Sequence, residues 1–189
     1  MPRMLILYAH AMPHYSRVNR RMIERASTIP GVTVNDLYET YPDFVIDVQR
    51  EQALVEAADL IVMQHPVQWY GMPALQKEWL DTVLEHNWAY GSRGAALAGK
   101  DFWLAVTTGS AEGAYSLEGE HGHPFEAFLP PYRQIAQLCG MRWLDPLVLH
   151  GARQADEAAI EAHVTRYCDA LATYSRPAMT ANRLASAGL

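Results

Sequence analysis

The chain has 189 residues, half of them hydrophobic, a formal charge of −6 and two cysteines. That length suits one domain able to bury a core without disulfides or structural metal, and an acidic balance with no Lys/Arg-rich run argues against a nucleic-acid or anionic-membrane surface. Small molecules or protein are the expected partners, and Cys139 and Cys168, inside helical patterns and forming no CxxC pair, read as buried thiols of a reducing, cytoplasmic compartment.

Met1-Pro2-Arg3-Met4 leads straight into an apolar run without a signal-peptide pattern, and no apolar run reaches the ~18 residues of a membrane helix, so any membrane association would be peripheral. Met4 to Ala9 reads as the first strand, followed by a helix from Ser16 to Ser27 with Ser16 as N-cap and Gly31 beyond its end. Val32 to Leu37 is the second strand and Val48 to Ala58 the second helix. Leu60 to Gln64 is a third strand, apolar enough to be covered on both faces, and Pro73 opens a helix to Leu84 with the apolar stripe Ala74, Leu75, Trp79, Leu80, Val83, Leu84. Phe102 to Thr107, the helix Pro131 to Cys139 closed by Gly140, the strand Trp143 to Leu149 and a last helix from Asp156 to Tyr174, opened by Asp156 or Gln154, complete the series. Met63, Met72, Met141, Trp103 and Trp143 read as packing residues. Five strands alternating with five helices predict an α/β fold: a doubly wound, flavodoxin-like or Rossmann-like five-stranded parallel sheet with helices on both faces, over residues 1–175, and a loosely held tail at 176–189.

In a parallel sheet the loops after the first, third and fourth strands leave from one edge, where α/β folds bind ligands. The first, His10 to Asn19, ends in a helix start whose Ser16, Arg17 and free N–H groups suit a phosphate. The second, in His65-Pro66-Val67-Gln68-Trp69-Tyr70-Gly71-Met72-Pro73, sets aromatic residues at a strand's carboxyl end, where the plain alternative is that Trp69 and Tyr70 roof the core. The third, Thr107 to His123, is long, has glycines at 109, 113, 119 and 122 that let backbone approach a flat ring, and carries Tyr115 and His121 as hydrogen-bonding groups. The rival patterns are weaker. Gly94 to Lys100 has the GxxxxGK spacing but Asp101 follows and the stretch precedes a strand, His121, His123 and His86 lack acidic or thiol companions for a metal, and no GxSxG elbow is present.

Together, Tyr8-Ala9-His10-Ala11-Met12-Pro13-His14-Tyr15-Ser16-Arg17-Val18-Asn19, LYETYPDF at 37 to 44, HPVQWYGMP, NWAYG at 87 to 91 and AVTTGS at 105 to 110 resemble the flavodoxin-fold NAD(P)H:quinone oxidoreductases, and within them the ancillary subunits of bacterial glutathione-regulated potassium efflux antiporters. The resemblance spans about residues 4 to 175. It implies a homodimeric NAD(P)H dehydrogenase (quinone) with FMN rather than FAD, since the C-terminal extension of the mammalian branch is not matched. It implies NAD(P)H as co-substrate, hydride transfer through flavin to a quinone by a ping-pong mechanism, and an antiporter's cytosolic face as a further partner. By matched motif, His10, Ser16, Arg17, Val18 and Asn19 would hold the flavin's phosphate end, Val67, Gln68, Trp69 and Tyr70 one edge of its ring, and Thr107, Thr108, Gly109 and Ser110 the other. Tyr115 and His121 would assist hydride transfer, and Tyr90 would line the pocket of the partner subunit. Ser110 departs from the family's usual second glycine. A non-catalytic flavin-sensing subunit, or an azo- or nitroreductase on the same scaffold, are the alternatives.

Overall fold

The structure, a computed structural model, describes residues 1–175, so the expected tail lies outside the described residues. Six parallel strands form one sheet: β1 (Met4–Tyr8), β2 (Val32–Asp36), β3 (Leu60–Pro66), β4 (Asp101–Thr107), β5 (Arg142–Trp143) and β6 (Leu147–Leu149). Their order is β2-β1-β3-β4-β5, with β6 also beside β4. Successive side chains alternate between faces, which divides the core in two. Leu5, Leu7, Ile61, Met63, Phe102 and Leu104 pack under α3 (Val48–Ala57), α4 (Ala74–Val83) and α5 (Pro130–Leu138). Met4, Ile6, Tyr8, Leu60, Val62 and Trp103 pack under α1 (Val18–Ala26) and α6 (Glu157–Thr173). The unbroken apolar runs of β1 and β4 are therefore buried on both faces, as a parallel sheet requires.

The predicted fifth strand is two. Leu144, Asp145 and Pro146 interrupt it, because Pro146 has no N–H to give the ladder. Leu37 leaves the second strand to begin a short helix, α2 (Leu37–Thr40), which Asp36 caps by accepting from the N–H groups of Tyr38 (3.1 Å) and Glu39 (3.2 Å). Ser16 is not the formal N-cap of α1. Arg17 holds that position without a side-chain bond, and the Ser16 hydroxyl instead accepts from the Arg20 N–H at 3.1 Å. Asp156 caps α6 as expected, accepting from Ala159 N–H at 2.8 Å, and Gly140 turns with φ +67° after Cys139. Both cysteines are buried and free. The chain leaves β1 toward β2 on one side while β3 and β4 extend the other, so strand order reverses between β1 and β3, where such sheets open a crevice.

Candidate functional site

Beyond β3 the chain makes a two-residue hairpin. Gln68 and Gly71 exchange both backbone hydrogen bonds at 3.0 Å, and the tip residues Trp69 and Tyr70 have φ of +45° and +67°. Left-handed backbone at two bulky residues costs roughly 1–3 kcal/mol each and persists where surrounding structure enforces it, commonly at a site. Trp69 is 95% exposed, so it roofs nothing in this chain. Tyr70 stacks on Phe128 with centroids 5.1 Å apart and meets His121 edge-on at 5.5 Å. The hairpin is anchored where Val67 N–H donates to Thr107 O at 2.8 Å.

The loop after β4 faces it. The Thr108 hydroxyl donates to Ser110 O at 2.7 Å and lies 3.1 Å from His150 Nδ1, which curls the backbone at Gly109 and Ser110. Tyr115 and His121 lie ring to ring, 4.4 Å between centroids, with Phe125 against Tyr115 at 5.3 Å. The His121 N–H donates to Ala114 O at 3.0 Å, while its Nε2 is buried with no hydrogen-bond partner. Burial pushes the Tyr115 phenol above its usual value, so it stays a proton donor at neutral pH.

In the first loop, expected to hold a phosphate through His10 and the turn Ser16 to Asn19, several side chains are engaged elsewhere. Val18 is buried in the core. Asn19 is also buried, with Nδ2 donating to Thr107 Oγ1 at 2.8 Å, and Arg17 pairs with Glu157 at 3.0 Å. What remains for an anion is Ser16, the backbone N–H groups of the first turn of α1, and His10, whose Nδ1 accepts from Met12 N–H at 3.2 Å and whose pKa burial lowers.

The second and third loops enclose a cavity of about 740 Å³ lined by Val67, Trp69, Tyr70, Gly109, Ser110, Tyr115 and His121 among others. Gln68, Thr107, Thr108 and the first-loop residues support this space without being among its lining residues. Sequence reading missed Glu120 and, above all, Arg153 and Gln154, which line it from the loop after β6. The signal was present, since the loop after any parallel strand leaves at the same edge. Tyr90 lies on the connection from α4 to β4, edge-on to His86 at 5.5 Å, and is not part of this chain's cavity lining. Among the described residues, no three His, Cys, Asp or Glu side chains are grouped to hold a metal.

The residues fit a flavin: a cavity lined by the aromatic rings of Trp69, Tyr70 and Tyr115, an unpaired buried imidazole nitrogen, a phenol donor, and a glycine in the wall.

The model of a family described as a flavodoxin-like fold matches residues 2–171. The glutathione-regulated potassium-efflux system ancillary protein KefF of Klebsiella aerogenes is 46% identical over 163 residues, covering 86% of this chain and 91% of the relative. Among solved structures, a thermophilic tryptophan halogenase from Streptomycin violaceusniger superposes with TM-score 0.86 at 38% identity, covering 90% of this chain and 99% of that one. The general stress protein 14 of Treponema denticola, in complex with FMN, has TM-score 0.81 at 35% identity, covering 90% and 97%. An NADPH-quinone reductase from P. pentosaceus has TM-score 0.82 at 26% identity, covering 92% and 99%. The halogenase name is that protein's own and stands beside names that speak of FMN and of quinone.

Proposed function

Because the chain belongs to the flavodoxin-like fold family, we propose that it is an FMN-dependent NAD(P)H:quinone oxidoreductase, and that it also serves as an ancillary subunit of a potassium efflux antiporter. The observation that carries the enzymatic reading is the buried, unpaired Nε2 of His121, 4.4 Å ring to ring from Tyr115, in the cavity that Trp69 and Tyr70 also line. A flavin held there supplies the redox chemistry, in which a hydride from NAD(P)H and a proton from water convert a quinone to its quinol in two half-reactions.

The chain's own residues set the geometry. Ser16, His10 and the first-turn N–H groups of α1 take the phosphate, with the helix dipole behind them. Val67, Gln68, Trp69 and Tyr70 bound one side of the ring, and Thr107, Thr108, Gly109 and Ser110 the other. The Tyr115 hydroxyl would donate a hydrogen bond to the reacting ring, with the His121 imidazole packed beside it to assist hydride transfer. The open mouth beside exposed Trp69 leaves room for nicotinamide and quinone to occupy the same place in turn.

Two-substrate kinetics test this: NADPH-dependent reduction of a soluble quinone with parallel double-reciprocal lines is expected, lost when the Trp69 or Thr108 contacts are disrupted. Intersecting lines or no turnover would reject it. The similarity to an ancillary potassium-efflux protein carries the regulatory reading. Among the described residues no helix is long and apolar enough to cross a membrane, and in this reading the antiporter recruits the chain to the inner face of the cell membrane. Potassium efflux altered by deletion and restored by a flavin-free variant would favour regulation over catalysis. In the proposed homodimer, Tyr90 reaches the partner subunit's cavity. Comparing quinone, azo and nitro acceptors at fixed NADPH ranks the remaining alternative.

A further inference from the structure

Five charged or titratable side chains, Tyr70, Tyr115, Glu120, His121 and Arg153, line the cavity, and Arg153 is the one fixed cation among the described lining residues. It has no hydrogen-bond or ion-pair partner among the described residues, although Glu157, four positions on, takes both Arg17 (3.0 Å) and Arg21 (2.5 Å). Its guanidinium lies against Gly109, where a Cβ would come within 3.5 Å of Nε and 3.8 Å of Cζ. The loop that carries it is stitched to the cavity wall: Ala152 N–H donates to Thr108 O at 2.9 Å, Gly151 N–H to Ser110 O at 2.8 Å, and Gly151 turns with φ +67°. These bonds fix the backbone that carries Arg153 against the cavity wall, so its charge stays beside Gly109 whichever state of a ligand is bound.

We propose that Arg153 is the counter-charge of the site, favouring a bound ring that has accepted a hydride, and with it a negative charge, over the same ring oxidised. This rests on the flavin reading above. The effect separates from a grip on the phosphate, which would strengthen both redox states alike. Because Arg153 is exposed, solvent limits the preference to several-fold rather than orders of magnitude.

The test is fluorescence and absorbance titration of the wild-type chain, Arg153→Gln and Arg153→Lys with FMN and with riboflavin, each oxidised and each reduced under anaerobic conditions, with melting curves as a check on folding. The ratio of reduced to oxidised affinity should fall about three- to tenfold in Arg153→Gln for both flavins and recover largely in Arg153→Lys. An unchanged ratio overturns the proposal. So does a loss equal for both redox states of FMN and absent with riboflavin, which would assign Arg153 to the phosphate. A wild-type chain that binds no flavin at all removes the reading beneath it as well, whereas flavin binding with an unchanged ratio sinks only the role of Arg153.

Discussion

Asn19 Nδ2 donates to Thr107 Oγ1 across 2.8 Å in a buried setting, and the Asn19 carbonyl accepts from Gln64 Nε2 at 2.9 Å. Gln64 Oε1 in turn accepts from the Tyr167 hydroxyl at 2.9 Å. The start of α1, the middle of the sheet and α6 are thus joined by one chain of polar groups beneath the loops of the site. Buried polar groups left unpaired cost more than the bond itself contributes, which is why such a chain behaves as a unit.

Asn19→Ala strands the Thr107 hydroxyl and should lower stability by about 1–3 kcal/mol, read as a reduced urea midpoint at unchanged slope. Flavin affinity should fall with it, since the first and third loops lose their common anchor. Full stability in the variant would mean that this bond does not hold the loops.

Trp69→Gly separates fold from site. Glycine adopts the +45° φ of position 69 without the penalty a tryptophan bears, and the 95% exposed indole contributes almost no burial. Stability should hold or rise by up to about 1 kcal/mol while FMN binds more weakly. A clear loss of stability by thermal melting would show the indole to be a packing residue after all.

Tyr115→Phe keeps the ring contacts to His121 and Phe125 and removes only the hydroxyl. FMN binding should change little, whereas reduction of bound FMN by NADPH in anaerobic stopped-flow should slow by about tenfold or more. Equal rates would remove Tyr115 from the chemistry.

His65 carries a pH signature. Its ring is fully buried, with Nδ1 bonded to Pro66 O at 3.0 Å and Nε2 3.3 Å from the Tyr132 hydroxyl, and burial lowers its pKa from 6.5 to about 4. The unfolded chain therefore takes up the proton first as pH falls. The stability associated with neutral His65 is complete above about pH 6.5 and drains away between 6.5 and 4, by about 3 kcal/mol in all. His163, lowered to about 4 by burial and then by Arg166, adds in the same direction. Denaturant titrations of the wild type and His65→Gln across this window should give a flatter pH slope for the variant, and identical slopes would contradict the assignment.

Much of this is legible in the chain because burial on both faces demands uninterrupted apolar strands, so the runs Met4 to Ala9 and Phe102 to Thr107 announce β1 and β4 to within a residue. The broken strand at Asp145-Pro146 and the short helix after Asp36 escaped because a four-residue element depends on one cap or one missing N–H rather than on periodicity. The hairpin tip at Trp69 and Tyr70 carries no Asn-Gly signature, and its strained backbone is set by Gly71 and Gln68 closing around it. The turn from Ser16 to Asn19 reads as a phosphate site because helix starts offer N–H donors, whereas the inward turn of the Asn19 side chain to Thr107 is set by the fold. Arg153 follows a strand whose end lies at the same sheet edge, but its place beside Gly109 depends on a contact between residues 44 positions apart in sequence.

The most direct test of the central claim is identification of what the purified chain holds. Denaturing the protein and analysing the released small molecule by mass, alongside a binding titration with added FMN, should give FMN in one-to-one ratio, with a yellow protein whose flavin fluorescence is altered on binding. A colourless protein that releases no flavin and binds no added FMN would contradict the account, and the His65 to Pro73 turn would then be an exposed aromatic loop of another purpose.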